Sequence, residues 1–225
     1  MPIQFRYAPE VRSRFPQLRS RTLLVDGIDA KADPSAEIAR LVAIADNRLA
    51  AASEGEFPEI QAWRRAFTAM GLKPTQYRCA SEALLRRYRK EGSLPALHPL
   101  IDLCNAASLV FAIPVAVFDT RKITGTMTVR HAHGDETYET FGGEIEHPEP
   151  GEIIFADDGG RAHARRWTNR QSGWSAVRLE TTQVMIVFEA LHDTADNDTA
   201  ALMSSLAGAM AAMWPAAAAT GIEPL

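Results

Sequence analysis

Two polar residues stand inside an otherwise apolar segment of this chain. The segment runs from Pro99 to Gly125, and its first part has the pattern of an apolar helix that contains Asp102 and Asn105. Residues three apart lie on one face of a helix, so these two side chains share a face. Buried polar groups need hydrogen-bonding partners, and this face therefore belongs either to a structural network or to a functional site.

A carboxylate ends the last strongly apolar strand pattern. Glu189 follows five apolar residues, Val184 to Phe188. A carboxylate in this position is either desolvated, which raises its pKa toward values useful for acid–base catalysis, or it faces water at the end of the strand. Classical nucleophilic catalysis is not indicated, because neither Ser81 nor Ser108 has a neighbouring histidine and no G-x-S-x-G, phosphate-loop or dinucleotide pattern occurs.

Arginine and tryptophan alternate between Arg161 and Trp174. Guanidinium groups interleaved with aromatic rings bind phosphates and stacked bases. The same alternation also stabilises an ordinary exposed strand through cation–π contacts, and the sequence favours neither interpretation. The residues predicted to contact RNA are Arg161, Arg165, Arg166, Trp167 and Arg170.

The pattern closest to a metal site is His131 and His133 followed by Asp135 and Glu136. Alternate residues of a strand point to the same side, so the two histidines could share an ion. A Gly-Asp turn explains the acidic pair equally well, and no spacing supplies the remaining ligands. We therefore predict no metal and no other cofactor.

Composition limits the class of protein. The chain has 225 residues, of which 46% are hydrophobic, enough for a substantial core. A formal net charge of -4 argues against a generally basic nucleic-acid binder but leaves room for a local basic patch. No apolar run approaches the roughly 18 residues needed to cross a bilayer, and the N-terminus lacks the apolar region of a signal peptide. We expect a cytoplasmic protein that binds no membrane and has two reduced cysteines.

The elements that position these residues are mainly helices in the first half and strands in the second. Gly- and Pro-containing turns separate the strands, which predicts an antiparallel or mixed sheet and the α+β class. We predict one domain over residues 1–195, followed by an alanine-rich helix in 196–225. Helices are predicted at about 34–52, 58–71, 81–92 and 99–113, and strands at 3–7, 22–28, 115–118, 127–131, 153–156, 162–166 and 184–189.

The alanine-rich tail carries a stripe of larger apolar residues. Leu202, Leu206, Met210 and Met213 recur at helical spacing, and Pro215 ends the pattern. The stripe either docks on the protein's own core or forms a homodimer surface.

With these residues identified, the chain resembles the B3/B4 domain, the editing and tRNA-binding module of the bacterial phenylalanyl-tRNA synthetase β subunit, in a free-standing form. The resemblance covers roughly Trp63 to Leu191. The motifs that carry it, in order, are GLKPTQYRCASEALLRRY, PLIDLCNAASLVFAIPVAVFDTRKITG, GDE, PGEIIFADD, RRWTNRQ and TTQVMIVFEA.

The resemblance implies a mixed α+β sandwich with a pocket that hydrolyses tyrosine wrongly esterified to tRNA. Asn105 matches a pocket-lining asparagine, and Glu189 matches the carboxylate that reads the tyrosine hydroxyl. Ala116 stands where the synthetase domain has a histidine, and the glycine-rich loop of its editing site is not recognisable here. We assign catalysis to Asn105 and Glu189. The residues assigned to substrate binding are Arg78, Glu82, Asp102, Ser108 and Ala116.

Three functions follow from these expectations. The first is a trans-editing deacylase that binds aminoacylated tRNA and hydrolyses a mischarged ester with an oriented water. The second is a non-catalytic module that holds tRNA or an aromatic amino acid, which Ala116 favours. The third is a hydrolase of an unrelated small ester or amide.

Overall fold

The computed structural model describes residues 3–222, so the ends of the two predicted domain ranges, 1–2 and 223–225, lie outside it. Six α-helices lie within the described residues, and none of them combines the length and apolarity needed to cross a bilayer. Their bounds are α1 (Pro9–Arg14), α2 (Ser35–Ala51), α3 (Pro58–Ala69), α4 (Ala80–Glu91), α5 (Pro99–Phe111) and α6 (Ala195–Met213).

The strands pair into three sheets, and the predicted α+β class is confirmed. Their bounds are β1 (Gln4–Tyr7), β2 (Arg19–Asp26), β3 (Val115–Asp119), β4 (Thr126–His131), β5 (Tyr138–Glu139), β6 (Ile145–Glu146), β7 (Ile153–Ala156), β8 (Ala162–Arg165), β9 (Arg170–Gln171), β10 (Gln183–Ala190) and β11 (Ala218–Ile222).

Of the two larger sheets, one is mixed and the other is antiparallel. The five-stranded sheet has the order β1-β4-β7-β8-β9, in which β1 runs parallel to β4 and the other neighbours are antiparallel. The four-stranded sheet has the order β11-β2-β10-β3 and is antiparallel throughout. Strands β5 and β6 form a separate pair.

Strand β10 lies between two hydrophobic cores. Met185 and Val187 belong to one core, whereas Val184, Ile186 and Phe188 belong to the other. Successive strand residues point to opposite faces, so a strand covered on both sides needs a continuous apolar run. This double burial explains the uninterrupted apolar pattern and places Glu189, at its end, in the interior.

The tail differs from the prediction, because a strand follows its helix. Residues 218–222 form β11, which pairs with β2 at an edge of the four-stranded sheet. Its sequence, AATGI, has little β-propensity and is largely exposed, so no pattern revealed it. Leu202, Leu206 and Met210 of α6 are buried in the second core, so this stripe docks on its own chain.

We predict that Leu206→Ala lowers the free energy of unfolding by about 2–4 kcal/mol, because it leaves a cavity under α6. Urea denaturation measures the change, and Ser204→Ala on the exposed face of the same helix should change it by less than about 0.5 kcal/mol. A loss below about 1 kcal/mol for Leu206→Ala would contradict the docking of α6.

Candidate functional site

Glu189 is a buried carboxylate that joins the two large sheets. It lies near the end of β10 and is 1% exposed. Its Oε1 atom accepts a hydrogen bond of 2.7 Å from the Tyr7 hydroxyl and another of 2.7 Å from the Trp167 Nε1–H group. Tyr7 ends β1, and Trp167 follows β8, so both donors come from the five-stranded sheet.

The backbone and the neighbouring rings hold Trp167 in place. Arg166 and Trp167 both adopt the left-handed conformation, with φ of 47° and 59°, which residues other than glycine rarely occupy. The Trp167 indole packs edge-on against Phe15 at 4.9 Å and Trp63 at 5.0 Å between ring centroids. Strained backbone of this kind concentrates at functional sites, where surrounding packing maintains it.

Burial controls the proton affinity of the Glu189 carboxylate. Desolvation raises its pKa, while the hydrogen bonds from Trp167 and Tyr7 and the charge of Arg12 partly offset that effect, and the pKa is about 7. Burial and the adjacent carboxylate also raise the pKa of Tyr7 well above its usual value, which keeps the phenol protonated as a donor. Glu189 can therefore exchange a proton near neutral pH.

A cavity of about 60 Å³ lies beside Glu189. It is several times larger than the roughly 10–15 Å³ needed to admit one water molecule, so it can hold water. Ala116 of β3 is opposite Val187 of β10, and its small side chain forms part of the wall. The other lining residues are five apolar ones and four consecutive polar ones, which we call the polar rim: Ala80, Pro114, Val115, Phe155 and Trp167, then Thr168, Asn169, Arg170 and Gln171.

The three predicted site residues of α5 do not line this cavity. The Asp102 carboxylate accepts backbone N–H groups of Leu97 and His98 at the start of the helix. The Ser108 hydroxyl donates to the Ile113 carbonyl just after its end. Asn105 is half-buried on the same helix. The structure thus gives Asp102 and Ser108 local bonds at the ends of α5 and leaves Asn105 outside the lining of the cavity beside Glu189.

Arg78 and Glu82 lie next to the polar rim. The buried Glu82 carboxylate forms ion pairs with Arg64 at 2.7 Å and Arg78 at 3.5 Å, so its charge is compensated. The Arg78 carbonyl accepts a hydrogen bond from the Asn169 side chain, and the Ala80 N–H group donates to the Thr168 carbonyl. These bonds fix the start of α4 against the rim of the cavity.

Burial removes two predicted RNA-contacting residues from the surface. Trp167 is 0% exposed, and Arg165 is 5% exposed and paired with Glu152 and Glu146. The alternation of arginine and tryptophan does not reveal which of these side chains are buried, because the carboxylates that pair with Arg165 lie more than ten residues upstream. The other three keep access to solvent: Arg161 over the Trp174 ring, Arg166 over the Tyr77 ring, and Arg170 paired with Glu146.

A Ser-His-Asp arrangement is also present, but its side chains are buried away from solvent. His163 Nδ1 lies 2.8 Å from the Ser175 hydroxyl, and Nε2 lies 3.2 Å from Asp157 Oδ2. His163 and Ser175 are fully buried and do not line the cavity beside Glu189. Burial opposes ionisation of Asp157, but hydrogen bonds from His163 and from the backbone of Thr124 and Arg161 lower its pKa to about 2. This network holds loops together.

The donor Tyr7 escaped sequence reasoning. It is 182 positions from Glu189, and only the pairing of β1 with β4 brings the N-terminus to the site. Its one sequence signal is a tyrosine that ends a short predicted strand. Gln171 was also missed, and its side-chain amide donates to the Val117 carbonyl across the cavity wall.

The comparisons with known proteins agree with this architecture. The family model of the B3/4 domain matches residues 62–207. The phenylalanine–tRNA ligase beta subunit of Nitrobacter winogradskyi is 34% identical over 79 residues, 35% of this chain and 10% of that protein. The crystal structure of an N-terminal fragment of the phenylalanyl-tRNA synthetase β subunit from Pyrococcus horikoshii superposes with a TM-score of 0.55 and 10% identity.

These matches differ in what they cover. The Pyrococcus fragment covers 97% of this chain, which spans 50% of that fragment, and at this identity the likeness concerns the fold alone. The chain spans only a tenth of the curated relative. The family model, in contrast, matches more than half of the chain and confirms the resemblance drawn from the motifs. The chain belongs to the B3/4 domain family.

Proposed function

We propose that this protein hydrolyses the ester bond of mischarged aminoacyl-tRNA, acting in trans. The observation that carries the proposal is Glu189, a buried carboxylate with a pKa of about 7 beside a cavity that can hold water. The similarity to phenylalanine–tRNA ligase β subunits supports a substrate related to tRNA. A general base poised near the working pH is what ester hydrolysis by water requires.

The proposed step uses one water in the cavity. Both described hydrogen bonds to Glu189 fall on Oε1, which leaves Oε2 to accept a proton from that water. The water oxygen attacks the ester carbonyl carbon, and the tetrahedral intermediate expels the ribose oxygen, which takes the proton from Glu189. The methyl group of Ala116 offers no proton, so Glu189 serves this role without a histidine.

We further propose that the cavity selects small aminoacyl groups. The resemblance alone implied tyrosine as the group removed. Here the phenol of Tyr7 donates to one oxygen of Glu189, and the proposed step uses the other oxygen for the attacking water, so neither is left to receive a tyrosine hydroxyl. The remaining space, about 60 Å³, suits a side chain of a few non-hydrogen atoms rather than an aromatic ring.

Contact with tRNA is proposed for the exposed arginines near the rim. Arg170 lines the cavity, and Arg166 carries a guanidinium that has no carboxylate within 4.0 Å among residues 3–222. An unpaired guanidinium binds a phosphate at a lower free-energy cost than a paired one, because no ion pair has to break. A homodimer remains a prediction that requires a surface other than the buried stripe of α6.

The second candidate is a non-catalytic module that binds tRNA or a small amino acid. Ala116 favours it, because the position that the family fills with histidine has no titratable group. The two candidates share the cavity and the rim and differ only in turnover.

We expect the purified protein to accelerate deacylation of Ala-tRNA or Ser-tRNA over buffer, and to act less on Tyr-tRNA and Phe-tRNA. Glu189→Gln should slow hydrolysis by about 100-fold or more, because it removes the base but retains an oxygen acceptor for Tyr7 and Trp167. Release of labelled amino acid measures both rates.

The matched control is Glu180→Gln, which neutralises an exposed carboxylate and should leave the rate unchanged. Asn105→Ala tests the catalytic role assigned from the sequence, and a loss beyond tenfold would support it. If the wild-type protein leaves every ester intact, the non-catalytic alternative stands. If it prefers Tyr-tRNA, hydrolysis stands and the selection of small groups does not.

Tyr7→Phe should raise the pH at which deacylation reaches half its maximum. The active form is the deprotonated carboxylate, so the rate rises as pH passes through the pKa of Glu189. Loss of the phenolic donor destabilises that charged form and raises this pKa above about 7. Tyr138→Phe is the control, because Tyr138 is equally buried but donates to the Gln171 carbonyl. If the pH midpoint of deacylation is the same in Tyr7→Phe and in the wild-type protein, the proposed effect of the Tyr7 hydrogen bond on the Glu189 pKa is wrong.

Arg166→Ala should weaken binding of deacylated tRNA by roughly 3- to 10-fold and make its salt dependence shallower by about one unit of log–log slope. Filter binding over a series of salt concentrations measures both quantities. Arg40→Ala, which removes an exposed arginine paired with Glu37 on α2, should leave them unchanged. Equal effects of the two substitutions would reject a specific contact at the rim.

A further inference from the structure

We infer a divalent-metal site formed by Glu59, His192 and Asp198. One ligand atom from each of these residues lies within 4.8 Å of the other two. They come from three separate parts of the fold: the first turn of α3, the turn after β10 and the first turn of α6. One imidazole and two carboxylates suit an ion such as Zn²⁺ or Co²⁺, with water completing the coordination.

One buried oxygen of this cluster has no partner. The Glu59 side chain is 10% exposed, and its Oε2 atom forms no hydrogen bond within residues 3–222. The His192 side chain is 3% exposed and faces Asp198 with its Nε2 atom. Buried polar atoms are usually paired, so an unpartnered carboxylate oxygen beside an imidazole and a second carboxylate points to a ligand that binds there.

The remaining hydrogen bonds orient the carboxylates. Arg48 donates to Glu59 Oε1 at 2.8 Å, which fixes that group and leaves Oε2 for the ion. The Thr194 hydroxyl donates to Asp198 Oδ2, and outer hydrogen bonds of this type set the direction of metal ligands. His192 Nε2 lies 2.8 Å from the same Asp198 oxygen, and an ion bound by both residues would replace that contact.

The charges permit a cation despite the guanidinium. Glu59 and Asp198 carry two negative charges against the one positive charge of Arg48, so the cluster is net negative when His192 is neutral. A divalent ion would compensate this charge.

The second group of metal-type residues provides a contrast. His133, Asp135 and Glu136 also place ligand atoms within 4.8 Å of one another. The Glu136 carboxylate, however, already accepts bonds from Arg130 and from two backbone N–H groups, which outweigh burial and lower its pKa to about 2. His133 is mostly exposed. This turn is satisfied without an ion, and its histidine makes a suitable control.

None of the three residues lines the cavity beside Glu189, and the inference does not depend on the proposed hydrolysis. An ion bound there would connect α3, the end of β10 and α6, and would therefore stabilise the fold. A ligand that binds only the native state stabilises it by an amount that grows with the logarithm of the ligand concentration divided by Kd, and it therefore raises the melting temperature.

The test uses untagged full-length protein, stripped with a chelator and titrated with Zn²⁺ or Co²⁺ at constant pH. We expect one ion per chain by calorimetry, a visible Co²⁺ absorption band and a higher melting temperature. His192→Asn and Asp198→Asn should each weaken binding at least tenfold, whereas His133→Asn should not change it.

Absence of binding by the wild-type protein would overturn the inference. So would binding that survives both His192→Asn and Asp198→Asn or disappears in His133→Asn. An unchanged melting temperature on addition of either metal would also contradict it. Because Asp198 is partly exposed, its substitution keeps the test valid even if His192→Asn fails to fold.

Discussion

The structure depends on a carboxylate buried between its two large sheets. The shift of the Glu189 pKa from 4.5 to about 7 means that the native protein binds more protons than the unfolded chain between those pH values. Stability therefore falls as pH rises through that window, by roughly 3 kcal/mol in total, and stays lower above it. Carboxylates with a pKa shifted this far by burial are concentrated at functional sites, although structural networks also contain them.

The packing of β10 and the contacts between the two large sheets hold that carboxylate in place. Strand β10 can carry it inward only because cores on both of its faces bury the preceding apolar residues. Its two donors come from the other sheet, so the site and the junction between the sheets are the same set of contacts. The left-handed backbone at Trp167 and the rings of Phe15 and Trp63 maintain one of those donors in position. A change at any of these residues affects both the packing and the acidity of the site.

Local patterns were enough to predict most elements, but not which side chains meet. The apolar runs of α5 and β10 and the stripe of α6 have periods that identify them directly. The contact of Tyr7 with Glu189, and the cluster of Glu59 with His192, join residues far apart in the chain, where no spacing rule applies. Burial of Trp167 and Arg165 depends on a turn geometry and on carboxylates elsewhere, so an exposed strand seemed equally consistent. Strand β11 is held by backbone pairing with β2, and the pattern of its side chains therefore does not predict it.

That last strand has a consequence for solubility. It covers the edge of β2, whose unpaired N–H and C=O groups would otherwise form an open template for another chain. The outer edge that β11 then presents is five residues long and contains Gly221, which makes it a poor template in turn. Strand β11 thus limits edge-to-edge aggregation of the four-stranded sheet. A protein shortened before Ala218 would expose the edge of β2 in its place.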